Sequence, residues 1–149
     1  MKRRSFLKGS LVAGAAVSSG LLTPSMAFAE GANAFEAKSV DEVLKTLGAE
    51  GAEASDKIKI KAPEIAENGA VVPVGITSEI EGTTEIISIT AANPTPLAAV
   101  YRFGEGTDTA VKSRFKMGKT TDVIAVVKAG DKYYTAKTEV KVTKGGCGG

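Results

Sequence analysis

Short runs that suit β-strands recur at near-regular intervals from residue 57 to residue 142, and turn residues separate them. Three of these runs alternate polar and apolar residues, which is typical of a strand with one face in water; they are 57–62, 110–118 and 133–142. About seven such strands predict an all-β fold, an immunoglobulin-like β-sandwich. The chain has one Cys and no Trp, so the Cys…Trp…Cys pattern of antibody domains is absent.

Two runs carry more specific predictions. Residues 122–128 (DVIAVVK) are apolar on both faces, which indicates a central strand. Pro73 interrupts the run 70–77, and a proline has no N–H to donate to a neighbouring strand. The run that contains it is therefore predicted at a sheet edge or at a bulge.

Four apolar side chains in or beside the strands have two open interpretations. They either fill the core, which is the main prediction, or contact a partner protein. These residues are Tyr101, Phe103, Phe115 and Met117.

One short amphipathic helix is predicted over residues 39–48, ahead of the strands. Ser39 and Glu42 have the spacing of a capping box, and Gly48 suits the C-terminal cap. The apolar residues fall on one helical face; they are Val40, Val43, Leu44 and Leu47. This face is expected to pack on the sandwich, with contact to a partner protein as the alternative.

The first 29 residues have the three-part layout of an export signal. A basic start is followed by an apolar run from Leu11 to about Leu22, and an A-x-A cleavage site lies at 27–29. The apolar run is too short and too rich in Gly, Ala and Ser to span a bilayer well, which takes ~20 apolar residues. A cleaved signal is therefore preferred over a membrane anchor, and no membrane contact is expected after cleavage.

The basic start resembles the twin-arginine signal of bacteria, S/T-R-R-x-F-L-K. The matching residues are Arg3, Arg4, Phe6, Leu7 and Lys8. Such a signal addresses the bacterial periplasm, and the resemblance implies that the protein folds before export. Folding in the cytoplasm would serve either the insertion of a cofactor or the docking of a partner.

Composition removes most catalytic and metal sites. The chain contains no His and a single Cys, so it lacks the commonest general base and metal ligand and cannot form an internal disulfide. No phosphate-binding glycine motif is present. We therefore predict no cofactor, no metal and no catalytic residue, and a partner protein better explains export in the folded state.

The exported part of the chain has no basic excess that would indicate nucleic-acid binding. The signal holds four basic residues and no acid, which leaves 15 of the 19 Lys and Arg against 17 Asp and Glu, a net charge of −2. No nucleic-acid partner is expected.

The chain ends in Lys144-Gly145-Gly146-Cys147-Gly148-Gly149. We predict a domain over 30–143 and a flexible arm over 144–149, because glycine explores both signs of φ and has no Cβ. The five residues from Gly145 span on the order of 15–18 Å when extended. Cys147 has no His beside it to activate the thiol, so it is interpreted as an attachment point for the chemistry of other proteins.

The export signal, the small β-rich domain and the terminal motif together resemble the SoxY family, the carrier subunits of periplasmic thiosulfate oxidation. In layout the resemblance spans the whole chain. Its specific motif is the terminal GGCGG, matched at Gly145, Gly146, Cys147, Gly148 and Gly149. The rest of the chain has no diagnostic motif to compare.

The resemblance implies that Cys147 is the covalent attachment site for sulfur intermediates and that the four glycines form its arm. It implies a heterodimer with a SoxZ-like subunit that has no export signal of its own. It also implies that a SoxAX-like haem enzyme loads the thiol, that a SoxB-like hydrolase releases sulfate, and that in some organisms a SoxCD-like dehydrogenase oxidises the remaining sulfur.

Two functions of different classes remain open from the sequence. The first is a covalent sulfur carrier that is not itself an enzyme. The second is an exported immunoglobulin-like binding or structural module whose Cys147 forms an intermolecular disulfide.

Overall fold

The computed structural model describes residues 33–145, which contain helix α1 (Val40–Thr46) and nine strands. The strands are β1 (Glu53–Ala54), β2 (Ile58–Lys61), β3 (Ile65–Ala66), β4 (Val72–Ser78), β5 (Thr83–Thr90), β6 (Leu97–Arg102), β7 (Ala110–Phe115), β8 (Thr121–Ala129) and β9 (Lys132–Val142). Seven of them correspond to the predicted runs. The additional two, β1 and β3, have two residues each and no alternation long enough to detect.

The strands form two sheets. The larger has the order β1-β9-β8-β5-β6, and β3 also pairs with β9, parallel to it. The smaller has the order β2-β4-β7 and is antiparallel. The predicted all-β sandwich is confirmed, and β8 lies between β9 and β5 as its apolar sequence predicted.

An inter-sheet core fills the space between the sheets. Its buried members are Ile58, Ala66, Val72, Val74, Ile76, Ile86, Met117, Val123, Ala125, Val127 and Val140. In β4 every second residue points into this core, so Val72, Val74 and Ile76 are buried while Pro73 and Thr77 are exposed. Burial of each such side chain contributes about 1.5–3 kcal/mol relative to exposure.

A second core lies on the far face of the larger sheet, under helix α1. This helix-side core consists of Ala34, Ala37, Val43, Ala49, Ile87, Ile89, Leu97 and Val126. Val40, Leu44 and Leu47 also pack against it, so the apolar helix face packs on the sandwich as expected. The larger sheet is therefore covered on both faces, which is why β5 and β8 need apolar residues at consecutive positions.

The ends of α1 follow its capping residues. The Ser39 hydroxyl accepts a hydrogen bond from the Glu42 N–H at 3.2 Å, but the Glu42 carboxylate bonds the backbone of Lys38, one residue before the cap. At the C-terminus Gly48 has φ +68°, and the Ala49 N–H donates to the Leu44 carbonyl at 2.8 Å. Together with the bond from Gly48 to Lys45, this is a Schellman motif.

The edge prediction for the proline-containing strand is wrong, because β4 is the central strand of its sheet. Pro73 pairs with Arg114 of β7 without a bulge. On the other side β2 ends at Lys61, which pairs with Gly75, so the strand has a neighbour on one side only at Pro73. The missing N–H therefore costs no ladder hydrogen bond on the β2 side.

The four apolar candidates for partner contact belong to the core side of the sandwich. Met117 is fully buried in the inter-sheet core, so the partner interpretation is wrong for it. Tyr101, Phe103 and Phe115 are partly buried and pack against the same core. The Tyr101 hydroxyl also forms a hydrogen bond with Ser113 of the opposite sheet.

Candidate functional site

The predicted site residues lie at the two termini. Gly145 is described by the structure, and it marks the point where the predicted arm leaves the sandwich. Gly146, Cys147, Gly148 and Gly149 lie outside the described residues. The export residues Arg3, Arg4, Phe6, Leu7 and Lys8 also lie outside them.

The end of β9 is bound to the segment 64–69, which runs beside it. The Lys141 N–H donates to the Glu64 carbonyl at 2.9 Å, and the Thr143 N–H donates to the Ala66 carbonyl at 3.1 Å. The Gly69 N–H in turn donates to the Lys144 carbonyl at 2.9 Å. Backbone order thus continues two residues past the end of β9 and includes Lys144, so the first residue of the predicted flexible arm is held by the sandwich.

A second set of contacts joins this region to the smaller sheet. The Met117 N–H, just after β7, donates to the Gly69 carbonyl at 2.6 Å. The side chain of Asn93 braces the same loop, because it donates to the Lys116 carbonyl at 2.7 Å and accepts from the Gly118 N–H at 3.3 Å. Segment 64–69 is therefore hydrogen-bonded both to the end of β9 in the larger sheet and to Met117, which follows β7 in the smaller sheet.

Gly145 lies directly against Gly118 in this arrangement. A Cβ on Gly145 would fall within contact distance of the Gly118 carbonyl oxygen and could not be accommodated without a backbone shift. This glycine is therefore required by the close approach of two backbones. The sequence pattern alone predicted it only as part of a flexible arm.

This arrangement sets what the terminus can do chemically. Cys147 follows Gly145 by two residues, so its Cα lies within about 7 Å of Gly145 even when the chain is extended. The hydrogen-bonded root therefore ends two residues before the single thiol of the chain.

The surface near the root is partly apolar. Ile65 and Val71 are 58% and 53% exposed, although both are large hydrophobic residues. Ile65 pairs with Lys141 in the β3–β9 ladder, and Val71 precedes β4. Sequence reasoning missed the strand at Ile65 because β3 is too short to produce a recognisable pattern, whereas Val71 lies in the predicted run 70–77.

Residues 33–145 contain neither a metal-binding cluster nor a membrane-spanning helix. Among residues 33–145, no group of three or more His, Cys, Asp or Glu side chains is arranged to hold a metal ion. Within that range, no helix has both the length and the hydropathy needed to cross a membrane.

The chain is similar to known proteins over most of its length. The family model for the sulfur oxidation protein SoxY matches residues 43–147, and the match ends on Cys147. The chain belongs to the SoxY family. The structure of the sulfur carrier protein SoxY from Chlorobium limicola f thiosulfatophilum matches at 43% identity and a TM-score of 0.63, over 69% of this chain and 94% of that one.

The N-terminus matches a family model as well. The model for the twin-arginine translocation signal covers residues 1–20. The protein is therefore exported to the periplasm by the twin-arginine pathway, as the residues around Arg3 and Arg4 predicted.

Two further comparisons add nothing to this assignment. One match comes from a structural study of T cell specificity and activation by the bacterial superantigen toxic shock syndrome toxin-1. It has 12% identity and a TM-score of 0.40, over 57% of this chain and 98% of that one. A likeness at that level carries no argument. The comparison with curated proteins found no match.

Proposed function

We propose that this SoxY-family protein is the sulfur carrier of periplasmic thiosulfate oxidation and that the thiol of Cys147 holds the sulfur. The observation that carries the proposal is the family match over residues 43–147, which includes the single cysteine of the chain. The ordered root at Lys144 and Gly145 supports it, because a carrier needs a fixed origin for a reaching thiol. Gly145 lies at the root, and Gly146, Gly148 and Gly149 flank the thiol in the reaching part of the arm.

The loading step joins thiosulfate to the thiol. The Cys147 thiol and the outer sulfur of thiosulfate form a disulfide-type bond, giving a cysteine S-thiosulfonate; one proton and two electrons leave, and a SoxAX-like haem enzyme accepts the electrons. A SoxB-like hydrolase then catalyses the attack of water on the terminal sulfone. Sulfate and two protons are released, and a persulfide stays on Cys147.

The protein's own part in these steps is to hold the sulfur and present it. The chain has no His, so it has no imidazole to activate water or the thiol. The acid–base and redox groups therefore come from the partner enzymes, and this protein is a carrier subunit without a cofactor or catalytic residue of its own. A SoxZ-like subunit completes the heterodimer and crosses the membrane with it, and a SoxCD-like dehydrogenase is a further partner where the pathway includes one.

The test is the intact mass of the protein isolated from the periplasm of cells fed with thiosulfate. We expect masses raised by sulfur or thiosulfate adducts that a reductant removes and that map to the C-terminal peptide. A Cys147→Ser variant is expected to remain folded and exported but to carry no adduct, because Cys147 lies beyond the hydrogen-bonded root.

The matched control is the same measurement in cells grown without thiosulfate, where the adducts should be depleted. A free thiol in thiosulfate-fed cells would contradict the proposal. A symmetric disulfide dimer without sulfur adducts would assign the cysteine to crosslinking instead.

A further inference from the structure

The outer face of the smaller sheet holds a depression of about 880 Å³. We call it the basic trough and define it by six of the residues that line it, which are Lys61, Pro63, Pro73, Gly75, Lys112 and Arg114. No helix or strand between residues 33 and 145 covers this face, whereas both faces of the larger sheet are covered. The volume is in the range of a binding cleft.

The strand register explains why the face is concave. Lys61 of β2 and Lys112 of β7 both pair with Gly75, on opposite sides of β4. Gly75 has no side chain there, and a Cβ added to it would lie 3.6 Å from the Lys61 Cβ and 3.9 Å from the Lys112 Cγ. The floor is therefore glycine and proline, and the long basic side chains stand on its two sides.

Within residues 33–145, the cations that border the trough have no acidic partners. Lys61, Lys112 and Arg114 are exposed, and none of them forms an ion pair with a carboxylate in residues 33–145. Like charges on facing strands repel one another, so the arrangement gains nothing within the sheet. A ligand with negative charge on both sides would relieve that repulsion.

The floor of the trough continues towards the arm. Val71 and Pro73 are both exposed, and buried Val72 lies between them, so the two share the outward face. Gly69, two residues before Val71, is hydrogen-bonded to Lys144 at the root of the arm. The exposed apolar residues therefore run from the trough floor at Pro73 and Gly75 to Val71, two residues from the Gly69 that bonds the root of the arm.

We propose that the basic trough docks an acidic segment of a partner protein, with an apolar side chain on the Pro73–Gly75 floor and carboxylates against the cations on either side. An apolar floor bordered by charge suits a peptide segment better than a small inorganic anion, which has nothing to place on the floor. A partner held there lies near Lys144 at the root of the arm. This docking site does not rest on the sulfur-carrier proposal, because none of its residues carries sulfur.

The experiment titrates the whole exported chain, labelled with ¹⁵N, with a synthetic glutamate-rich peptide that has one central leucine. We expect amide shifts at Val71, Gly75 and Lys112, and binding that weakens as salt rises because exposed charges are screened. The double variant Lys61→Glu/Arg114→Glu should lose about fivefold in affinity per reversed charge. Gly75→Leu should also weaken binding, since the side chain would occupy the floor.

The control variant Lys57→Glu/Lys132→Glu makes the same change in net charge at two exposed lysines that do not line the trough. Circular dichroism and melting curves confirm that each variant is folded. The proposal is supported if only the trough variants lose affinity. It is overturned if both double variants lose it equally, or if a glutamine version of the peptide binds as tightly.

Two further outcomes also overturn the proposal. Complete displacement of the peptide by inorganic sulfate at low concentration would assign the trough to a small oxoanion. Self-association in sedimentation, lost in Lys61→Glu/Arg114→Glu, would assign it to a second copy of this chain.

Discussion

The two sheets of the sandwich differ in how many of their faces are covered. The larger sheet has the inter-sheet core on one face and helix α1 on the other, and β8 is buried or partly buried at every position. The smaller sheet has one covered face, and β7 exposes every second residue, including Lys112 and Arg114. The second covered face of the larger sheet adds buried apolar area and therefore stability. The uncovered face of the smaller sheet leaves a surface that another molecule can contact.

The arm root lies where the two sheets meet. Segment 64–69 bonds to the end of β9, and Met117 after β7 bonds to the same segment. The cysteine-bearing terminus therefore leaves from the stable sheet but next to the open face of the other. A hydrogen-bonded root and an open sheet face therefore lie next to each other.

The largest effect is expected from a truncation in the twice-covered sheet. Ile87 is fully buried in the helix-side core, so Ile87→Ala should lower the free energy of unfolding by about 2–5 kcal/mol. On the open face, Val71→Ala should change it by less than about 0.5 kcal/mol, because Val71 is 53% exposed. Urea denaturation of both variants measures the difference.

Equal losses in these two variants would show that the open face is as tightly covered as the helix-side core, and the contrast between the sheets would then fail. A large loss at Val71 alone would point to a partner or a terminal segment that packs on it in solution.

A smaller effect is expected where the sheets meet. Gly145→Ala places a Cβ against the Gly118 carbonyl and should destabilise the root by about 1–3 kcal/mol. Hydrogen exchange of the Gly69 amide, which bonds Lys144, should therefore become about tenfold faster or more. Gly118→Ala is the matched control, because a Cβ there meets nothing within 4 Å. Unchanged exchange in Gly145→Ala would mean that the root does not need this glycine.

Apart from the control Val71→Ala, the smallest loss of stability is expected in helix α1, which covers the second face of the larger sheet. Ser39→Ala removes the hydroxyl that accepts from the Glu42 N–H, and it should cost about 1 kcal/mol of stability. A thermal melt with Ser55→Ala as control checks this, since Ser55 accepts a similar bond from the Lys57 N–H in a turn outside any helix. A larger loss in Ser55→Ala would contradict a specific capping role.

Elements with a long pattern were predictable from the sequence, and short ones were not. The apolar run 122–128 predicted the central position of β8, and alternation predicted the exposed lysines of β2. The two-residue strands β1 and β3 were missed, because their order comes from pairing with β9 and not from their own residues. The edge prediction for the strand that contains Pro73 failed for a similar reason, since β2 ends before it reaches that position.

The terminal motif was also recognisable in the sequence, but the contacts that surround its first residue were not. The position of Cys147 between glycine pairs predicted an attachment point, and that role stays a prediction. The contact between Gly145 and Gly118 brings together residues that are far apart in the chain, so no local pattern predicts it.

By itself the sequence determined the export route, the all-β class and the family, because each depends on local order: a basic signal, alternating runs and a terminal motif. Only the tertiary structure decided which sheet is covered twice, which face stays open and what holds the arm root. Those features arise from pairing between distant strands, and the register that places Lys61 and Lys112 on either side of Gly75 exists only after the chain has folded.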